Sequence, residues 1–255
     1  MDKIMEIRNV YKEYKNGDKA FYALNNINAD IEKGDFIGIM GPSGAGKSTF
    51  LNVVSTIDRP TSGSIRISGS EVTDMGDIEI AEFRKNNLGF IFQEYNLLDN
   101  LNARENILLP LVMLHKDIKS YSDRMMKIVH MFEIDRMMDS KPSDMSSGEK
   151  QRVAAARAIV TDPAIIMADE PTGALDSGSG RKLLNCLKSI NETEHTTIIM
   201  VTHDSYAASF CRRNLFIKDG CLVDEITRGE KKEEEYYNEI VHKNACLERN
   251  ATKNT

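Results

Sequence analysis

The stretch Gly41-Pro42-Ser43-Gly44-Ala45-Gly46-Lys47-Ser48-Thr49 constrains this chain more than any other. It follows Phe36-Ile37-Gly38-Ile39-Met40, a short apolar run that reads as a buried strand. It leads into Phe50-Leu51-Asn52-Val53-Val54, which continues as a helix. Strand, glycine-rich loop and helix in that order form a phosphate-binding loop. The glycines let the backbone curl so that successive N–H groups point at one anion, and the helix N-terminus adds partial positive charge. Gly41, Ser43, Gly44 and Gly46 shape the cradle, Lys47 reaches the β- and γ-phosphates, and Ser48 and Thr49 open the helix, with the Ser48 hydroxyl placed for Mg²⁺.

The rest of the chain is read around that loop. Residues 4–31 alternate apolar and polar about a turn at Lys15-Asn16-Gly17-Asp18, predicting an antiparallel β-region ahead of the loop. Tyr14 beside that turn either packs at a strand end or offers a stacking platform to a nucleobase. Residues 64–69 read as a short strand and 77–87 as an amphipathic helix. Leu88-Gly89-Phe90-Ile91-Phe92 is a further buried strand, ending in Gln93. Gln93 is either a polar strand terminus or, at the ligand crevice of an open α/β sheet, a contact for Mg²⁺ or the attacking water.

Residues 94–145 change character and read as an inserted helical segment, rich in methionine (Met113, Met125, Met126, Met131, Met137, Met138). Those methionines serve either as core filler or as an adaptable docking surface. Ser146 with Glu149 three residues on makes a capping box, so a helix begins there and runs through Val153-Ala154-Ala155-Ala156. Its start is either a plain cap or, through Ser146 and Gly148, a second anion site aimed at nucleotide on another subunit. Ile165-Ile166-Met167-Ala168-Asp169-Glu170 is an apolar strand ending in two carboxylates. Beside a phosphate loop, Asp169 suits Mg²⁺ and Glu170 suits a general base for water. A helix follows at about 177–192, then a strand at 196–201 ending in Thr202-His203-Asp204. His203 is either a packed histidine or a contact to the γ-phosphate. A last hairpin covers 213–226, and the charged run Glu230-Lys231-Lys232-Glu233-Glu234-Glu235 opens a terminal helix and tail.

Bulk properties narrow the options. The chain has 255 residues, of which 41% are hydrophobic, enough for one α/β domain with an insertion. The net charge of −6, with no basic block, disfavours nucleic acid as a partner. The apolar run at 107–114 is broken by Pro110 and is too short to span a bilayer, so any membrane role comes through a partner. Cys186, Cys211, Cys221 and Cys246 form no Cys-x-x-Cys and fit reduced, mostly buried thiols, and the N-terminus has no signal-peptide pattern.

The ordered set Gly41 to Thr49, Gln93, Ser146-Ser147-Gly148-Glu149, Asp169-Glu170, Ala174-Leu175-Asp176 and His203 resembles an ATP-binding cassette ATPase over residues 3–228. The resemblance implies a P-loop NTPase core, a mostly parallel sheet flanked by helices, with an N-terminal antiparallel β-subdomain and an inserted helical subdomain. It places the ATPase domain at 1–229, the helical subdomain at about 94–145, and a charged helix and tail at 230–255. In this family two subunits sandwich two ATP molecules. By resemblance Tyr14 stacks on adenine, Lys47 and Ser48 hold phosphate and Mg²⁺, Gln93 senses Mg²⁺ and Ser146 and Gly148 reach across. Asp176 joins the dimer seam, Glu170 and His203 serve hydrolysis, and the inserted helices contact a membrane permease.

The family signature is usually Leu-Ser-Gly-Gly-Gln, and here it reads Met145-Ser146-Ser147-Gly148-Glu149. If position 147 requires a positive φ, Ser147 is strained, closure is weaker, and Ser147→Gly raises ATPase activity.

Residues 82–111, with Ala168-Asp169-Glu170-Pro171-Thr172-Gly173 and the charged tail, are similar to the bacitracin-resistance (BceA-type) ATPases. That subgroup works at the cytoplasmic face of the membrane with a large permease, removes peptide antibiotics from lipid-linked cell-wall precursors, and often signals to a histidine kinase. Macrolide-export and lipoprotein-release ATPases share most of the motifs, and a weakly hydrolysing regulatory subunit is the remaining alternative.

Overall fold

Three apolar runs with every residue buried form the centre of one sheet: β3 (Phe36–Met40), β8 (Thr197–Val201) and, but for its last residue, β7 (Ile165–Asp169). In this computed structural model, which describes residues 2–16 and 19–251, the sheet has six strands in the order β10-β9-β3-β8-β7-β6. β6 (Leu88–Ile91) and β9 (Arg213–Lys218) extend it in parallel, and β10 (Cys221–Thr227) closes it as an antiparallel edge strand. Continuous apolar strands need cover on both faces. The interleaved helices α1 (Lys47–Val54), α5 (Ser147–Ile159) and α6 (Ser177–Glu194) carry buried apolar residues into that cover.

The alternating N-terminal region forms the expected second sheet. β1 (Lys3–Asn16) pairs antiparallel with β2 (Lys19–Glu32) and with β4 (Ser62–Ile67), which pairs with β5 (Ser70–Glu71). Gly17 and Asp18 of the expected turn lie outside the described residues, as do 252–255 of the tail. One core joins the two sheets: Ile7, Leu24 and Ile65 from the antiparallel sheet pack with Ile39, Val201 and Met167 from the parallel one.

Helix α2 (Asp77–Asn87) precedes β6, and the expected helical insertion follows it as α3 (Ala103–Met113) and α4 (Ser122–Met131), linked by short 3₁₀ turns. Helix α3 runs through Pro110. Buried Asn106 on α3 accepts a hydrogen bond from Leu98 N (2.8 Å) and donates to the Leu98, Leu101 and Asn102 carbonyls, pinning the preceding loop. The methionines divide: Met125 and Met138 enter the core, while Met113 and Met126 are exposed.

The short α7 (Ser205–Ala208) follows His203, and the C-terminal α8 (Glu233–Ala251) docks beside it. Tyr236 and Ile240 of α8 are buried with Met40, Ala208 and Phe216, whereas Tyr237 and Val241 of the same helix are exposed. The Tyr236 hydroxyl accepts a hydrogen bond from buried Asn214 Nδ2 (2.7 Å). All four cysteines are free; only Cys211 is fully buried and the other three are half-buried, so the expectation of mostly buried thiols does not hold: Cys186 lies on a partly open face of α6, and Cys221 opens the edge strand β10. Among the described residues no helix is long and apolar enough to cross a membrane.

Candidate active site

Parallel strands deliver their C-terminal ends to one edge, which is where open α/β sheets bind ligands. Here β3, β8, β7 and β6 are neighbours in that order. They bring the glycine-rich loop, Thr202-His203, Asp169-Glu170 and the Phe92-Gln93 segment side by side. Strand β6 ends at Ile91, so Gln93 lies in the loop beyond the strand rather than on its terminus.

The glycine-rich loop is held by close backbone approaches. Gly46 has φ +103°, and a Cβ there would lie 2.3 Å from the Ala23 carbonyl oxygen. Gly41 has φ +148°, and its Cβ would lie 2.0 Å from the Ile217 oxygen. Gly46 is also the N-cap of α1 and makes no side-chain cap, so the first-turn N–H groups keep no side-chain acceptor. Lys47 Nζ donates to the carbonyls of Gly41 (2.8 Å) and Pro42 (2.9 Å), folding back over its own loop. Partial burial holds the Lys47 ammonium below its ordinary pKa, while Glu170 and Asp169 opposite pull it up.

Glu170 occupies the left-handed region at φ +44°, an uncommon place for a non-glycine residue. Its backbone N–H donates to Val201 O (2.9 Å), which anchors it to β8. Its Oε1 accepts from His203 N (3.1 Å) and lies 2.8 Å from His203 Nδ1. Its Oε2 accepts from Thr202 Oγ1 (3.3 Å). Thus the segment just beyond β8, Thr202-His203, supplies three groups that orient the one carboxylate. Asp169 is more deeply placed. Burial, then the neighbouring Glu170 charge, pushes its carboxyl above the ordinary range, with Lys47 opposing.

An open cleft of about 920 Å³ runs along this edge. It is lined by Tyr14, most of the 41–49 loop, Glu170 and His203. Gln93, Asp169, Ser146 and Gly148 are not among its lining residues. Gln93 packs instead beside the turn after Glu170, its Nε2 3.1 Å from where a Gly173 Cβ would stand. Tyr14 donates its hydroxyl to Asp58 Oδ2 (2.8 Å), and its ring lies 5.8 Å from that of Phe21. Phe21 and Tyr22, both more than half exposed, line the cleft beside Tyr14 and were not singled out from the sequence. The available signal was two consecutive aromatics in one strand: successive side chains alternate faces, so the core cannot take both rings.

Helix α5 starts as the capping box requires: Glu149 N donates to Ser146 Oγ (3.4 Å) and Ser146 N donates to Glu149 Oε2 (2.8 Å). The Ser146 donors hold the Glu149 carboxyl below its ordinary range. Asp176 caps α6 by accepting from Ser179 N (3.0 Å), and Ser179 lies directly against Gly148, where a Cβ would meet its Oγ at 2.6 Å. The expected strain at Ser147 is absent. Ser147 is the first residue of α5, exposed, and not among the residues with positive φ. A helical N1 position carries no penalty for a Cβ, so there is no strain for glycine to relieve. Ser147→Gly is therefore expected to leave ATP turnover within about twofold and to lower stability by up to about 1 kcal/mol, the cost of glycine in a helix. Parallel phosphate-release and thermal-melt measurements check this; a several-fold rise in turnover would restore the strain reading.

Comparison with known proteins gives a consistent result. A family model described as ABC transporter matches residues 24–173. The chain is 45% identical over 244 residues to the bacitracin export ATP-binding protein BceA of Halalkalibacterium halodurans, covering 96% of each. It is 41% identical to the macrolide export ATP-binding/permease protein MacB of Mannheimia succiniciproducens, over 87% of this chain but 34% of that longer protein. Among solved structures, a dimeric ATP-binding cassette from Methanocaldococcus jannaschii, in a post-hydrolysis state bound to ADP and Pi, is similar with a TM-score of 0.80 and 40% identity. That match covers 88% of this chain and 98% of the other.

Proposed function

Since this chain belongs to the ABC transporter family and is an ATP-binding subunit that hydrolyses ATP, we propose that it powers a separate integral-membrane permease that protects the cell envelope from peptide antibiotics. The observation that carries the catalytic part is the Glu170 carboxylate, oriented by Thr202 and His203 at the lip of the cleft that the phosphate loop lines. In this reading the 41–49 loop and the α1 N-terminus hold the β- and γ-phosphates, and Lys47 turns from its own loop carbonyls to phosphate oxygens. Glu170 accepts a proton from water as the water oxygen attacks the γ-phosphorus and ADP leaves. His203 holds Glu170 in place and faces the γ-phosphate. Tyr14, with Phe21 beside it, stacks on the adenine.

The residues present fit Mg²⁺. Asp169 Oδ1 is buried without a hydrogen-bond partner among the described residues, an acceptor waiting for a hard cation. Ser48, Gln93 and Asp169 would hold the ion, all through oxygen. Bound Mg²⁺ neutralises charge on the phosphate oxygens.

Ser146 and Gly148 lie outside the chain's own cleft, which supports their use on nucleotide held by a second copy in a homodimeric ATP sandwich, with Asp176 at the seam. Residues 1–229 then form the ATPase domain and 230–255 a charged C-terminal extension, whose helix α8 packs on it through Tyr236 and Ile240. The exposed Met113 and Met126 of the 94–145 subdomain suit the permease contact. The chain would be peripheral, on the cytoplasmic face, reaching a histidine kinase only through the permease; nucleic acid is not a partner in this reading.

The peptide assignment rests on similarity to the bacitracin export protein over nearly the whole of both chains. A strain lacking this chain is expected to become selectively sensitive to cell-wall-targeting peptides, and not to macrolides or unrelated toxins. Wild type should restore resistance and Glu170→Gln should not. Selective macrolide sensitivity, or an unchanged panel, would reject the peptide role while leaving the ATPase intact.

A further inference from the structure

Five residues past Ser146, α5 carries Gln151, a fully buried polar side chain in an otherwise apolar helix face. Its Nε2 donates to two carbonyls, Phe92 O at 3.1 Å and Pro171 O at 2.8 Å. Phe92 immediately precedes Gln93, and Pro171 immediately follows Glu170. The same amide therefore ties together the two loops that hold the chain's own Mg²⁺ and water residues. The helix carrying it begins at the motif assigned above to the other subunit's nucleotide.

The energetics point to a purpose other than filling space. Gln151 Oε1 is buried with no donor among the described residues. A buried amide with an unmet acceptor costs stability that an apolar side chain of similar volume would not. The helix also grips the same loop a second time. Arg157 donates to Asn96 O (2.5 Å) and Tyr95 O (2.8 Å), and both of those residues hold positive φ. Between these grips Val153, Ala154, Ala155 and Ala156 are all buried, so α5 can shift only as a packed unit. The Gln93 and Glu170 loops are already in contact at Gly173, which leaves little slack to absorb such a shift.

We infer that Gln151 is a positioning residue that couples the two nucleotide sites: movement of the α5 N-terminus, engaged by nucleotide on a second copy, is transmitted through one amide to the loops carrying Gln93 and Glu170. This rests on the paired-sandwich reading. Gln151 touches no substrate; it acts by holding Phe92 and Pro171 in register with the signature helix.

The test uses Gln151→Met, which keeps length and volume and removes both N–H donors. In the purified full chain, kcat for ATP is expected to fall about tenfold, as loss of two neutral hydrogen bonds allows, with KM changed by less than about threefold. The Hill coefficient for ATP should fall towards unity. A purely structural role would lower the melting temperature and the active fraction but leave the Hill coefficient of the remaining activity unchanged. If Gln151→Met fails to fold, Gln151→Asn, which keeps the amide one methylene short of its carbonyls, is read the same way. A cooperative wild type with an equally cooperative, equally fast variant overturns the role of Gln151 alone. A wild type whose turnover is hyperbolic in ATP, at a specific activity independent of protein concentration, overturns both this role and the sandwich.

Discussion

Glu170→Gln is expected to lower ATP turnover by about 10²–10⁴-fold while leaving nucleotide affinity within about threefold, because general-base loss falls on the chemical step. The substitution keeps the side chain's shape. A glutamine Oε1 still accepts from His203 N, and the β8 anchor at Val201 is backbone and survives. What disappears is the proton acceptor and one negative charge. Burial first and then that charge raise the Asp169 carboxyl, so its removal favours the ionised Asp169 that the proposed Mg²⁺ site uses. Nucleotide should therefore bind at least as well, and with hydrolysis blocked an ATP-bound dimer should accumulate. Phosphate release and size-exclusion chromatography at saturating ATP and Mg²⁺ read the two effects separately. Turnover within about threefold of wild type would remove Glu170 as the base. A variant that stays monomeric would count against the sandwich.

Lys47→Ala should act on binding instead. In the proposed role Lys47 gives phosphate two charge-assisted hydrogen bonds, each worth about 1.5–3 kcal/mol, whose loss corresponds to at least a hundredfold weaker ATP affinity. In the present structure Lys47 spends those donors on Gly41 and Pro42 carbonyls within its own loop. Truncation leaves both carbonyls at the open cleft, where water can replace the lysine, so the melting temperature without nucleotide should change little. The upward melting shift that ATP produces in wild type should vanish over the same concentration range. Calorimetric titration with ATP gives the affinity directly. Retention of wild-type affinity would mean that the loop N–H groups and the α1 N-terminus suffice to hold the phosphates.

Much of this site was legible in the chain itself. The 41–49 loop was readable because its requirements are local: glycines at backbone positions that exclude a Cβ, and a lysine at a fixed offset from a helix start. Gly46 at φ +103° meets that requirement. The capping box at Ser146 and Glu149 is equally local and formed as read. Period-two alternation predicted the β1–β2 pairing, and unbroken apolar runs predicted β3, β7 and β8.

Other features depended on which strands became neighbours. The order β3-β8-β7-β6 is what puts His203 Nδ1 2.8 Å from Glu170 across 33 residues of chain. Strain at Ser147 depended on a positive φ there, yet φ is set by where the helix starts, and α5 starts at Ser147 itself. That Tyr236 packs against Met40, and that the Gln151 amide lies between two loop carbonyls, left no local trace. Sequence alone determined the phosphate loop, the caps and the strand periodicities, since each is satisfied within a few consecutive residues. Tertiary structure decided how Glu170 and His203 meet and which helix holds both loops, since those hydrogen bonds close only after distant segments pack.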